Sequence, residues 1–430
     1  MSNSDIILKN GVIVDCETNN ESRQDVRISR ATGLVIEIGS NLSGTEIIDC
    51  AGLHILPGWI DLRAQFNDPG KASRESILNG AKAAAHGGLT AVAARADTTP
   101  PVDNIASVSY VLQQSALAGG ARVYPTGTIT KKAEGKELAE IGRMTQAGAV
   151  GFTDGERTLQ SAVLLHSAIE YASMFNKVIF DVPQNPELSD ESLMHQGAMS
   201  AKLGMKGLPP VAEVIQIGRD SRLADSAGGR LHLTPVTLHD SIKIVRSAKQ
   251  HNARVTADTS PLHLVLTDES LATYDTVFKV FPPLRTVKDS NALKAAYKEG
   301  VIDCIVSHHS PFTAEETDVE FLYAPFGNST IETLVGVVLD VFYHEMNMPL
   351  IEIARRQSLL TRDILGVPGG GFKPGAPADF TIVNLDKEWT VDVRKFKSKG
   401  KNCALDGKRL RGGPVYAVIG GQLHSSICSE

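Results

Sequence analysis

The stretch GWIDLRAQFNDPG, residues 58–70, reads as a short buried strand that runs straight into polar residues, with Arg63 and Gln65 two apart where the strand would open into a site. A guanidinium stays protonated, has no lone pair and repels a dication, so Arg63 brings positive charge and no metal ligation. Groups with usable lone pairs lie further along: Asp154 in GAVGFTDG and the pair His308 and His309 in IVSHHSPF. Adjacent strand residues point to opposite faces, so at most one of those two histidines can enter a shared site. His232 and His263 are read as structural histidines. Zinc hydrolysis would need nitrogen, sulfur or carboxylate donors at about 2.0–2.3 Å, usually four per ion, so donor number is the test of that chemistry.

The elements that must position these residues alternate. ILPGWIDLRAQF, GGLTAVAARA, ARVYPTGTIT, GAVGFTDG, KVIFDVP, GRLHLTPVT, ARVTADTS and IDCIVSHHS are strand-like, and segments of helical period such as SILNGAKAAAHG, LQSAVLLHSAIEYASMF, SIKIVRSAKQHN and SNALKAAYKEG lie between them. Eight strand–helix repeats without a GxGxxG turn predict an α/β fold, a (β/α)8 TIM barrel over residues 56–369, whose active groups would stand at the C-terminal strand ends. Residues 1–55 and 370–430 have a different texture, alternating strands joined by Asn-Gly and Thr-Gly turns, and are expected to form one small β-sandwich domain from both termini.

Seven motifs, LPGWIDLRAQFNDPG, GGLTAVAARADTTPPVDN, VYPTGTIT, GAVGFTDGERTLQSAVLLHSAIEYA, LGMKGLPPVAEVIQIGRD, FPPLRT and GAPADFTIVN, follow one another in a way that resembles the dihydroorotase family of the amidohydrolase superfamily along essentially the whole chain. The resemblance implies a one- or two-zinc centre at the barrel mouth. It places Arg63 and Gln65 at the positions of a His-x-His pair, Asp154 at an acidic ligand position, Val182 and Pro235 at histidine positions and His308 at that of the catalytic aspartate; His309 matches a histidine of the strand-8 signature. Only Asp154 is retained at a family ligand position, and with His308 the possible donors number two. Substrate contacts differ too: Asn67 stands for an arginine, Asp97 for an asparagine, and Phe281 for the asparagine before PPLR. Arg63 is expected to pair with Asp154 or Asp97 in place of a metal.

These departures lead to the expectation of a chain that is not an enzyme, with no catalytic residue, no bound metal and no cofactor. SHHSP and PPLRT are similar to inactive dihydroorotase-like subunits that partner the aspartate transcarbamoylase catalytic subunit in pyrimidine biosynthesis, which implies that partner and a homodimer. Two alternatives stay open: a metal-dependent cyclic amidohydrolase with altered ligation, and a small-molecule-binding regulatory barrel using Arg63 and Asp154.

A formal charge of −6 and a pI near 6.1 give no reason to expect nucleic acid or an anionic membrane as a partner. The basic run from Arg394 to Arg411 is read as a solvated face. Five cysteines scattered without CxxC spacing fit a reducing cytoplasm, and the sequence begins without a leader-like segment or an apolar run of the ~20 residues a membrane span needs.

Overall fold

The computed structural model describes residues 5–251 and 253–429, so Asn252, expected to close one helix, lies outside the described residues. Eight parallel strands form the barrel: β1 (Trp59–Ala64), β2 (Leu89–Ala94), β3 (Arg122–Pro125), β4 (Gly151–Phe152), β5 (Val178–Asp181), β6 (Arg230–Leu233), β7 (Val255–Thr259) and β8 (Cys304–Ile305). β1 to β3 make one continuous ladder and β4 to β8 another. Parallel bridges Ala64–His309 and Gly127–Phe152 join the two ladders and close the ring. Its interior is packed by Ile60, Leu62, Ala91, Ala93, Val178, Phe180, Cys304 and Val306, so the barrel is a filled core and only its ends can host a site.

Helices return the chain to the start of each next strand. α1 (Ile77–His86) begins at Ser76, whose hydroxyl accepts from Asn79 N, and α2 (Ile105–Ala118) begins with a reciprocal Asn104–Ser107 cap. α3 (Ile141–Ala147), α4 (Ala162–Ser173), α5 (Val211–Ala227), α6 (His239–Gln250) and α7 (Val287–Glu299) follow in turn, the last opened by a Thr286–Asp289 cap. Buried Ile169, Ile217, Ile242 and Leu293 from these helices join the layer that covers the outer face of the strands.

Strands from both termini share one six-stranded sheet. Phe380–Thr390 lies between His54–Pro57 and Arg409–Ile419, and Val12–Asp15 continues the sheet beyond His54–Pro57. A four-stranded sheet centred on Ile6–Lys9 and Asp25–Ile28 packs against it over Ile6, Leu8, Val26, Ile55, Phe380 and Ile382. The fold is a (β/α)8 barrel with a small strand-rich domain built from both ends. Among the described residues no helix is long and apolar enough to cross a membrane.

The basic run near the C-terminus is largely tied to its own chain. Arg394 bonds Asp392, Arg411 bonds Asp386, Lys399 reaches Ala72 O and Lys401 donates to the carbonyls of Phe396 and Ser398.

Candidate functional site

At the C-terminal end of the barrel, the end of β1, the residues after β2 and the loop after β4 converge on one carboxylate. Arg63 Nη2 is 3.1 Å from Glu156 Oε1, and Arg95 Nη1 meets the same oxygen. Arg95 also clasps Asp97, through Nε at 3.0 Å and through Nη2. Both arginine side chains are 3% exposed, whereas Glu156 is 35% exposed and connects the cluster to solvent. His308 Nε2 stands 3.9 Å from the same Glu156 oxygen. Glu156 Oε1 is therefore the hub of the mouth.

Gly155 makes this arrangement possible. Its φ of +77° is a left-handed conformation, and a Cβ there would lie 2.1 Å from the Asp97 carboxyl carbon. The loop can thus pass over Asp97 and deliver Glu156 to the arginines.

Burial opposes ionisation of Glu156, but Arg95 and then Arg63 outweigh it and hold the carboxyl below its ordinary range. Burial, reinforced by Arg63 and Arg95, pushes His308 well below the ordinary imidazole range, so its ring is neutral. Its Nε2 and the Nε of Arg63 are buried without a hydrogen-bond partner among the described residues. Such orphaned groups in a mouth are where a bound molecule can supply what the protein does not.

Arg63 does not pair with Asp154 or Asp97, correcting that expectation. Asp154 is turned into the loop after β3, where it accepts from Ile129 N (2.9 Å), Thr130 N (3.0 Å) and Thr130 Oγ1 (2.6 Å). Three donors satisfy it there, although burial still raises its pKa. Asp97 is taken by Arg95. Gln65 accepts from Ser310 Oγ at 3.0 Å, and Asn67, 4% exposed with φ +52°, leaves Nδ2 unpartnered among the described residues. Val182 is buried and its carbonyl accepts the Thr158 hydroxyl, while Pro235 follows a cis bond from Thr234.

The structural histidines are held as such. His263 lies between Ser260 Oγ (2.8 Å) and Pro282 O (3.1 Å), with burial, then Arg285, pushing it down to about 4. His232 lies between Thr256 Oγ1 and Asp258 Oδ2, at 2.7 and 2.9 Å. His309 accepts from Thr330 N and sits 3.8 Å from Glu75.

Phe281 stacks edge-on to Phe326 with ring centres 5.8 Å apart. Both line a cavity of about 610 Å3 that opens beside Glu156 and also touches Arg157, Gln184 and Lys279. Lys279 donates to the carbonyls of Phe321 and Leu322 at 2.7 and 3.0 Å, and burial lowers it to about 8.

The zinc centre implied by the resemblance does not fit these residues. Among the described residues no three His, Cys, Asp or Glu side chains converge as a metal-binding group. The space beneath Arg63 and Arg95, bordered by Leu62, Thr126, Thr153 and Thr234, is only about 10 Å3, roughly the room of one water. A fixed guanidinium in the wall adds repulsion to the missing donors.

The Dihydro-orotase-like family profile matches residues 52–241. A dihydroorotase of Pelotomaculum thermopropionicum is 38% identical over 420 residues, covering 97% of this chain and 98% of the relative. The chain belongs to the dihydroorotase family. A dihydroorotase of Syntrophus aciditrophicus is 34% identical with the same coverage. Among solved structures, the L-hydantoinase (dihydropyrimidinase) from Arthrobacter aurescens superposes with a TM-score of 0.86 at 22% identity, covering 98% of this chain and 96% of that one. At that identity the likeness establishes the fold.

The expectation of a chain that is not an enzyme is overturned by these full-length relatives, which carry an enzyme's name. Donor number tests zinc hydroxide chemistry alone, and this mouth holds a carboxylate, a neutral imidazole and two guanidiniums that lend themselves to other acid–base and electrostatic work. Arg95 and Glu156 were missed because neither falls at a family ligand position. The signal available was charge balance, since a buried Arg63 demands a nearby carboxylate.

Proposed function

We propose that the protein is a cyclic amidohydrolase of dihydroorotase type with altered ligation, in which charged side chains at the barrel mouth take over the electrostatic work of a metal centre. The full-length 38% identity to a dihydroorotase carries this reading. In this reading the arginines and His308 divide the labour. Arg63 and Arg95, held behind Glu156, set a fixed positive field toward the amide oxygen as negative charge develops on it, which is where preorganised cations are most effective. Neutral His308 accepts a proton from the attacking water through its free Nε2. The amide C–N bond then breaks and the proton passes to the leaving nitrogen, so water and one ring amide give one open-chain carbamoyl acid. A base held well below the ordinary imidazole range is weak, which implies slow turnover.

The test is ring opening of dihydroorotate and ring closure of N-carbamoyl aspartate by purified protein, beside Arg63→Met and His308→Ala. Turnover in the unsubstituted protein and its loss in both variants is the expected result. Rates indistinguishable from the Arg63→Met background in both directions would overturn the reading.

By the resemblance of SHHSP and PPLRT, we also propose a homodimer, contact with the aspartate transcarbamoylase catalytic subunit and a cytoplasmic location; five buried, unpaired cysteines are consistent with the last. Co-elution of the co-expressed chains with an increased mass by light scattering is expected, and separate elution would remove the partner from the proposal.

A further inference from the structure

The end of the barrel opposite the mouth carries a second polar cavity. Val178 of β5 pairs with Arg230, and Leu231 pairs with Val255, so Arg230 and Arg254 stand side by side where β6 and β7 begin. Adjacent strands are about 4.8 Å apart, which brings the two cations close on the same side of the sheet. Asn176, in the turn before β5, borders the same cavity. These three residues border a cavity of about 300 Å3 completed by Val255, Thr256 and Asp363.

Charge there is unbalanced. Arg230 Nη2 donates to Asp363 O at 2.6 Å and lies 3.4 Å from a carboxylate that is 79% exposed. Arg254 is exposed, Lys177 next to Asn176 is half-buried, and among the described residues neither side chain has an ion pair or hydrogen bond. Burial, then Arg230, lowers the Lys177 ammonium below its ordinary range. Like charges directly opposite each other on neighbouring strands are unfavourable unless an anion lies between them. The chemistry at the mouth makes no use of this cluster.

We propose that this cavity is an anion site that takes a phosphate group, free or as part of a nucleotide. A planar guanidinium matches two phosphate oxygens at once, and Arg254 would present such a fork, with the N–H groups of Arg230 not taken by Asp363 and the Asn176 amide as further donors.

Isothermal titration of the full chain at constant ionic strength, with pyrophosphate, ATP and citrate as probes, tests this. Pyrophosphate is expected to bind, with affinity reduced about tenfold by Arg254→Ala and reduced by Lys177→Ala, because a bidentate charged contact or a neighbouring cation is removed. Among the described residues the Arg254 and Lys177 side chains make no bond, and Lys136→Ala on a remote exposed loop serves as control. Tighter binding of ATP than of pyrophosphate assigns the site to nucleotides, and equal binding assigns it to the free anion. Absence of pyrophosphate binding, equal affinity in Arg254→Ala, or citrate binding as tightly as pyrophosphate would overturn the proposal.

Discussion

Arg63 Nη2 and Glu156 Oε1 stand 3.1 Å apart across the barrel mouth, tying the end of the first strand to the loop after the fourth. With Arg95 on the same oxygen and Asp97 on Arg95, two carboxylates balance two guanidiniums at a position where the family resemblance implies a metal. The pair therefore serves both the stability of the mouth and the charge available to a substrate.

Glu156→Gln keeps the shape of the side chain and removes its charge. Breaking a fully buried pair costs ~3–5 kcal/mol, but Glu156 is 35% exposed and solvent screens the orphaned cations, so a loss of about 1–2 kcal/mol is expected. Urea unfolding midpoints measure it, and an unchanged midpoint would show that the cluster is energetically idle.

Gly155→Ala introduces a left-handed alanine, costing roughly 1–2 kcal/mol, and drives its Cβ into the Asp97 carboxylate, adding about 1–3 kcal/mol of overpacking. Substantial loss of stability and of any dihydroorotate turnover should appear together, because Glu156 can no longer reach the arginines. A stable and fully active variant would contradict the role assigned to this turn.

Which parts of this arrangement were legible follows from range. The eight strands could be read because each is a local apolar run, and their ends located Arg63, Asp97, Asp154 and His308 near one mouth. Glu156 could not be read, since its placement depends on the φ of Gly155 and on loop contact with Asp97, neither of which has a periodic signature. Asp154 misled for a related reason: the GTIT turn presents two backbone N–H groups and a hydroxyl that capture it locally, where motif position alone suggested a free ligand.

His308 should stay neutral through pH 6.5, where an unperturbed histidine is half protonated. The unfolded chain binds a proton there that the folded chain refuses, so this group makes stability decline as pH falls through about 6.5. Nitrogen-15 NMR of the imidazole checks its state, and ordinary titration near 6.5 would refute the environment described.

Asp181 and Asp220 form a second pH-sensitive element beneath the strand ends. Burial, then the charge of Asp220, raises Asp181 well above its ordinary range, and burial raises Asp220 while Arg219 moderates it. Carboxyls raised on folding hold protons that the unfolded chain has released, so their contribution is lost as pH rises from about 4. Asp181→Asn should flatten that decline and increase the melting temperature at pH 8 relative to the parent, and a lower value at pH 8 would contradict the assignment.

The most direct test is the metal dependence of dihydroorotate turnover in protein stripped with a chelator. A mouth working through Arg63, Glu156 and His308 predicts that ring opening survives removal of divalent metal and is unchanged by added zinc, with Arg63→Met inactive in both states. Turnover that vanishes on stripping and returns in proportion to zinc, or no turnover under any condition, would contradict the account.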